Sequence, residues 1–282
     1  MRNESVLCYS ILDPTGNITA IVESPVEIAR QPAVAAAIMR RHPEVEQVGF
    51  LRSGFDGENV WAELRMAGGE FCGNASMSAA MLLQIGSGRQ GGEFALRLRV
   101  SGASEPVELC LRPAADEAAL AEIVMPPALD IEKAAFTFGD MHGTLPLVRM
   151  EGISHLVVEP DSVFFALLDD RPAAEEAVRE FCAELGADGL GLMFLDGRGS
   201  EYCMTPLVYV PGSGTCFWEN SCASGSASVG MLLASRAGER AAVSLREPGG
   251  VLRVESDPAD HKTRLRGRVQ LTAKLELPEE EL

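Results

Sequence analysis

Two cysteines open two small-residue stretches of closely similar sequence. Cys72-Gly-Asn-Ala-Ser-Met-Ser-Ala-Ala-Met-Leu-Leu83 can be laid over Cys222-Ala-Ser-Gly-Ser-Ala-Ser-Val-Gly-Met-Leu-Leu233, 150 residues further on, with six of twelve positions identical. Self-similarity at about half the chain length implies two lobes of one design. Each cysteine then stands at a helix start, where partial positive charge and unpaired backbone N–H groups gather. Such an end eases ionisation of a thiol and can hold a substrate carboxylate. Gly73, Asn74, Ala223 and Ser224 are the expected donors. If the lobes face one another, one thiolate can take a proton from a carbon while the opposite thiol returns one to the other face. That is general acid–base work in which neither cysteine is a nucleophile. The chemistry expected is two-base racemisation with no pyridoxal phosphate or other cofactor.

The elements that must position these residues follow from periodicity. In the first half, strands are expected at 17–23, 45–51, 59–66, 94–100 and 107–112, with helices at 26–41 and 73–84. The second half repeats the order. A helix over 173–185 precedes strands at 190–195 and 203–210, a second small-residue helix follows Cys222, and strands near 241–245 and 252–254 close the unit. The Ala- and Pro-rich stretch 113–119 is the expected crossover. The first lobe is therefore placed at residues 1–115, joined by a C-terminal strand near 266–276, and the second at 116–282. The acidic tail 278–282 is expected to be solvated.

Composition narrows the partners. The 282 residues hold 41 acidic against 24 basic side chains, a net charge of −17, which argues against a nucleic-acid surface. The seven cysteines are scattered without a C-x-x-C pair, and the four histidines lie far apart, so neither a disulfide framework nor a metal site is expected. The first residues lack the apolar run of a signal peptide, and the longest apolar stretches are too short to span a bilayer. A cytoplasmic protein with a small amino-acid substrate, no nucleic-acid or membrane partner, and a homodimer left open is the expectation. Of the other cysteines, Cys8, Cys110, Cys182 and Cys203 read as core residues. Cys216 is the decoy for the second catalytic thiol, since it follows Gly212-Ser-Gly-Thr215 and has no repeated helix behind it.

These residues resemble the diaminopimelate epimerase superfamily, whose members pair two catalytic cysteines in pseudo-symmetric lobes. The resemblance rests on Cys72-Gly-Asn74, Cys222-Ala-Ser-Gly225, the turn Asp13-Pro-Thr-Gly-Asn17 and Glu46-Gln47, and it covers essentially the whole chain. It implies an α+β fold of two such lobes, each a curved, mostly antiparallel sheet around a central helix, with the active site in the cleft between them. The asparagines and the Glu-Arg-Gly segment that hold a distal amino-acid head in diaminopimelate epimerases are absent. Arg65-Met-Ala-Gly-Gly69, Gly152-Ile-Ser-His155, Gly191-Leu-Met-Phe194 and Tyr209-Val-Pro-Gly-Ser213 stand there instead. Glu46-Gln-Val-Gly-Phe50, Gly69-Glu-Phe-Cys-Gly-Asn-Ala75, Trp218-Glu-Asn-Ser-Cys222 and Pro248-Gly-Gly250 look closer to the histidine racemases of staphylopine-type metallophore pathways. That resemblance implies Cys72, Cys222 and Glu46 as catalytic residues, with Asn17, Gln47, Trp218 and Glu219 about the substrate and Phe71 beside Trp218 lining the side-chain pocket.

Histidine racemisation is thus the first reading. Diaminopimelate epimerase proper is an alternative, against which the missing arginine counts. A non-catalytic amino-acid-binding clamp is another, though a pure binder has no need of two ionisable thiols. A two-lobed dehydratase or isomerase often replaces one cysteine, and here both are intact. Gly212-Ser-Gly-Thr215 lacks the lysine and spacing of a phosphate loop.

Overall fold

The computed structural model describes residues 6–56, 59–89 and 91–278. In chain order its elements are β1 (Val6–Pro14), β2 (Thr19–Val22), α1 (Gln31–Arg41), β3 (Gln47–Asp56), β4 (Asn59–Met66), α2 (Gly73–Gly86), β5 (Phe94–Val100), β6 (Val107–Pro113) and β7 (Ala118–Met125). There follow β8 (Asp130–Phe138), β9 (Met141–Arg149), β10 (Ser154–Val158), α3 (Arg171–Leu185), β11 (Leu190–Arg198), β12 (Glu201–Val210), β13 (Thr215–Trp218), α4 (Ala223–Ala237), β14 (Ala241–Glu247), β15 (Gly250–Asp257) and β16 (Lys262–Pro278). Contacts divide the chain into two compact units, residues 1–123 with 267–282, and residues 124–266.

In the first unit the strands run β1-β2-β3-β4-β5-β6-β7-β16, and β16 pairs back to β1, so eight strands close into a barrel. The pairs β2–β3 and β4–β5 are parallel, bridged by α1 and α2 as parallel pairs require. α2 is apolar or small on every side, and Gly73 to Leu83 are all buried. A helix of that kind belongs inside a core, and it contacts β1 through β6. α1 is one-sided. Its Val34, Ala35, Ala37 and Ile38 pack on Leu7, Tyr9, Val22, Val48 and Phe50, against the opposite face of the sheet.

The second unit orders its strands β8-β9-β10-β11-β12-β14-β15-β16, with β13 paired to β12. Here too the parallel pairs, β10–β11 and β12–β14, are bridged by helices, α3 and α4. α4 is buried from Ala223 to Leu232 and contacts β9, β10, β14 and β15. α3 puts Ala174, Ala177, Val178, Phe181 and Cys182 onto Leu145, Leu156, Leu192 and Leu207. Phe181 meets Phe164 edge-on, with ring centres 5.5 Å apart.

Several expectations need correction. The stretch 113–119 is not a crossover. It is a hairpin between β6 and β7, with Pro113 opposite Ala119 and with Asp116 and Glu117 at φ 58° and 56° in the turn. β7 as far as Ile123 therefore belongs to the first unit, and the contacts divide the chain at 123/124 rather than 115/116. Of the four cysteines read as core, only Cys182 is buried; Cys8 and Cys203 are exposed and Cys110 is partly so. All three sit on strands, where alternate side chains point outward. Most of the acidic tail, 279–282, lies outside the described residues, as do residues 1–5. No helix of the described residues is long and apolar enough to cross a membrane.

Candidate active site

Cys72 is the N-cap of α2. Its backbone is extended (φ −135°, ψ 113°), and its Sγ accepts the Ala75 N–H at 3.4 Å. Cys222 caps α4 in the same way, with φ −128°, ψ 103° and the Gly225 N–H at 3.4 Å from Sγ. A side-chain acceptor at the N-cap satisfies an orphan donor of the first turn, so each thiol is held at a helix start by the backbone itself. The residues after them, Gly73 and Asn74, and Ala223 and Ser224, form the first turns and are buried. Gly225 has no room for a side chain. A Cβ there would lie 2.1 Å from Met193 Sδ and 3.2 Å from Cys222 Sγ.

Around Cys72 the first unit brings together four of the residues picked from sequence. The thiol donates to Gln47 Oε1 at 2.9 Å. Gln47 Nε2 donates to Asn17 Oδ1 and, at 2.9 Å, to Thr19 Oγ1. Asn17 Nδ2 donates to Glu46 Oε2 at 2.6 Å. Two side-chain amides thus link thiol to carboxylate, each aligned by the next, as in chains that polarise one another. The bonds run in one direction, from Cys72 towards Glu46.

Around Cys222 the second unit supplies a different set. Cys222 Sγ lies 3.6 Å from Ser224 Oγ, which meets His155 Nε2 at 3.1 Å. His155 Nδ1 meets Ser228 Oγ at 2.9 Å, and Ser228 lies 3.2 Å from Met150 Sδ as a donor. On the other side Glu247 accepts the Cys222 N–H at 2.7 Å and the Ser226 hydroxyl at 2.6 Å. Burial holds the His155 imidazole neutral, pushing its pKa down to about 3. Burial also raises the Glu247 carboxyl to about 8, against the pull of Ser226 and the Cys222 N–H.

The Cys222 thiol itself is pushed well above its ordinary value. Burial does most of this, the Glu219 and Glu247 charges add to it, and bonds from Ser224 and Gly225 oppose it. The helix start was expected to ease ionisation. At Cys222, 4% exposed, loss of water outweighs the helix end, so the group is a thiol.

Trp218 goes elsewhere. Its indole stacks on Phe194 with centres 5.8 Å apart, donates to Glu175 Oε1 at 3.2 Å, and lies under the Arg171 guanidinium at 4.8 Å. It is thereby tied to α3, and Cys216, two residues earlier on β13, packs into the same cluster. Phe71 is 1% exposed in the first unit's core. Glu219 is close enough to Cys222 to bias its titration. His155, Glu247 and Ser226 were not picked from sequence as site residues. Glu247 carried a signal, because it follows the buried Val243 and Leu245 in the alternation of β14.

Glu247→Gln is expected to raise the melting temperature above pH 7 by several degrees. Between about 4.5 and 8 the unfolded chain has lost the Glu247 proton while the folded protein keeps it, so wild-type stability falls as pH rises. His155 works in the opposite sense, costing stability as pH falls below 6.5, so the interval from 6.5 to 8 isolates Glu247. Melting curves of both proteins across pH 5–9 should diverge upward in that interval; parallel curves would contradict the account.

The family model for the histidine racemase CntK N-terminal domain matches residues 6–276. The chain is 28% identical over 276 residues to a histidine racemase of Staphylococcus aureus, covering 96% of this chain and 97% of that protein. It is 30% identical over 239 residues to a histidine racemase of Fusobacterium nucleatum, covering 82% of each. Among solved structures, it is similar to a hydroxyproline epimerase from Agrobacterium vitis with bound trans-4-hydroxy-L-proline. The TM-score is 0.68 at 12% identity, over 98% of this chain and 92% of that one. A predicted epimerase from Pseudomonas aeruginosa gives a TM-score of 0.65 at 20% identity, over 96% and 99%.

Proposed function

Since the chain belongs to the histidine racemase family, we propose that it is a cofactor-independent amino-acid racemase acting on histidine, with Cys72 and Cys222 as the two acid–base groups. The observation that carries this reading is the matched cap. Two thiols 150 residues apart each take one N–H of their helix's first turn at 3.4 Å, in the same backbone conformation. A catalyst that must run in both directions needs equivalent groups on the two faces of the α-carbon.

In this reading the substrate carboxylate is held by first-turn N–H groups, at Gly73 and Asn74 or at Ala223 and Ser224. One cysteine, as thiolate, removes the α-proton. The electron pair is delocalised into the carboxylate, whose growing charge the helix-end donors stabilise. The other cysteine, as thiol, gives its proton to the opposite face. The enzyme ends with thiol and thiolate exchanged, ready for the reverse reaction. Glu46 acts on Cys72 through Asn17 and Gln47. Turning over the Gln47 and Asn17 amides together would present Gln47 Nε2 to a Cys72 thiolate and Asn17 Oδ1 to a protonated Glu46, so that the same chain runs in the opposite direction. Cys222, buried as it is, is the natural proton donor of the first half-reaction.

Incubation with L-histidine in deuterated water tests the reading. D-Histidine should appear carrying deuterium at the α-carbon. No turnover and no exchange, with histidine or any of a panel of amino acids, would end it.

A further inference from the structure

The segment leading into α2 holds a carboxyl that the chemistry above does not use. Glu70 lies two residues before Cys72. Phe71 between them is buried, whereas Glu70 and Cys72 are both partly exposed. The backbone at Cys72 is extended (φ −135°, ψ 113°), and exposure alternates across the three residues, as it does where side chains two apart share a side. Burial raises the Glu70 pKa, although its own N–H, that of Gly68 and the Arg65 guanidinium all favour the ionised form. Even so, Oε2 is buried and has no hydrogen-bond partner among the described residues, and neither has the nearby Arg65 Nε. Buried polar atoms are nearly always bonded, and one that is not points to a missing partner.

The imidazole of histidine offers what this oxygen lacks. It carries one ring N–H when neutral and two when protonated, and it hangs one methylene from the carbon being racemised. Glu70 lies two residues from the thiol that works at the α-carbon, and its unbonded oxygen is an acceptor for such an N–H. We propose that Glu70 is the specificity-determining residue for the substrate side chain, accepting a ring N–H on Oε2 while Cys72 works at the α-carbon. This rests on the racemase reading above and adds to it the group that selects the imidazole. A site built around a hydrogen bond rejects analogues that cannot make it, because its own polar atom is then left unpaired.

The test compares wild type, Glu70→Ala and Glu70→Gln on L-histidine and on its two ring-N-methylated forms, whose neutral rings have no N–H. Racemisation is read as α-deuterium incorporation, with the melting temperature of each protein recorded. Wild type should prefer histidine to both methylated forms by more than about tenfold. In Glu70→Ala, kcat/KM for histidine should fall about 10- to 100-fold, mostly through KM, the size of a lost hydrogen bond to a charged group. The methylated substrates should change by less than about threefold, so that the preference collapses. Glu70→Gln, which keeps an acceptor oxygen, should recover part of the loss. An equal fall for all three substrates would assign Glu70 to the substrate ammonium or to the turn itself, and overturn the proposal. An unchanged preference would overturn it too. A wild-type protein inert on histidine but active on other amino acids would instead defeat the substrate reading on which the proposal rests.

Discussion

Cys72→Ser and Cys222→Ser are each expected to cut racemisation by about a thousandfold or more, while leaving the melting temperature within a few degrees of wild type. Serine is chosen because it is a favoured N-cap. Its hydroxyl can take the Ala75 or Gly225 N–H as the thiol does, so helix starts α2 and α4 survive. What serine lacks is a proton that can leave near neutral pH. In the proposed mechanism the two thiols act as one unit, so the double variant should be hardly worse than either single one. The single variants should also differ from each other. Each keeps one working cysteine and so can still exchange the α-proton of one enantiomer with solvent without inverting it, and the favoured enantiomer should switch between them. Cys216→Ser is the control. Its side chain packs into the α3 cluster with Trp218, so it should racemise normally. Full activity in either single variant, or loss in the control, would remove the proposed pair.

Much of this arrangement was readable in the sequence, for reasons that differ by element. β5 was read at its observed bounds because Phe94–Val100 alternates cleanly, and α2 was read at its observed start, two residues short of its end, because small and apolar residues run unbroken after Cys72. β8 was missed. Asp130, Glu132, Lys133 and Thr137 are exposed on both of its faces, so little apolar period remains to see. β1 and β16 were missed or shortened because their pairing joins opposite ends of the chain, Val6 with Pro278, a contact that no local pattern announces. Within the site, the linkage of Cys72, Gln47, Asn17 and Glu46 was legible only as a list of names. That two amides connect them in one direction is a matter of side-chain placement. His155 is the clearer loss. In Ser154–Val158 every residue is buried, and a histidine there reads as core until Ser224 and Ser228 are seen on its two nitrogens.

Gly102→Ala should be the most damaging single-methyl change outside the thiols. Gly102 has φ +70°, and a Cβ on it would lie 2.2 Å from Phe71 N, 2.7 Å from Glu70 C and 2.9 Å from Phe71 Cα. These are backbone atoms, which no rotamer change can move. The residue before it secures the same segment. Ser101 Oγ donates to Glu70 O at 2.8 Å and accepts the Met66 N–H at 2.9 Å. Residues 101 and 102 therefore press on the stretch that delivers Cys72 to its helix. An alanine must adopt a left-handed conformation, at about 1 kcal/mol, and must also push Phe71 off its place in the core. Together about 2–4 kcal/mol of stability should go, with a melting temperature lower by roughly 5–15 °C. Because a displacement of about 1 Å at a reacting group can cost 10²-fold, activity should fall by a similar factor even where the protein remains folded. Gly88→Ala separates the two causes. Gly88 has nearly the same φ, +67°, but nothing within 4 Å of its added Cβ, so it carries the conformational cost without the collision. If both variants melted together and raced alike, the contact with Phe71 would not be what holds Cys72 in register; a large gap in both measurements assigns that role to the bare backbone at Gly102.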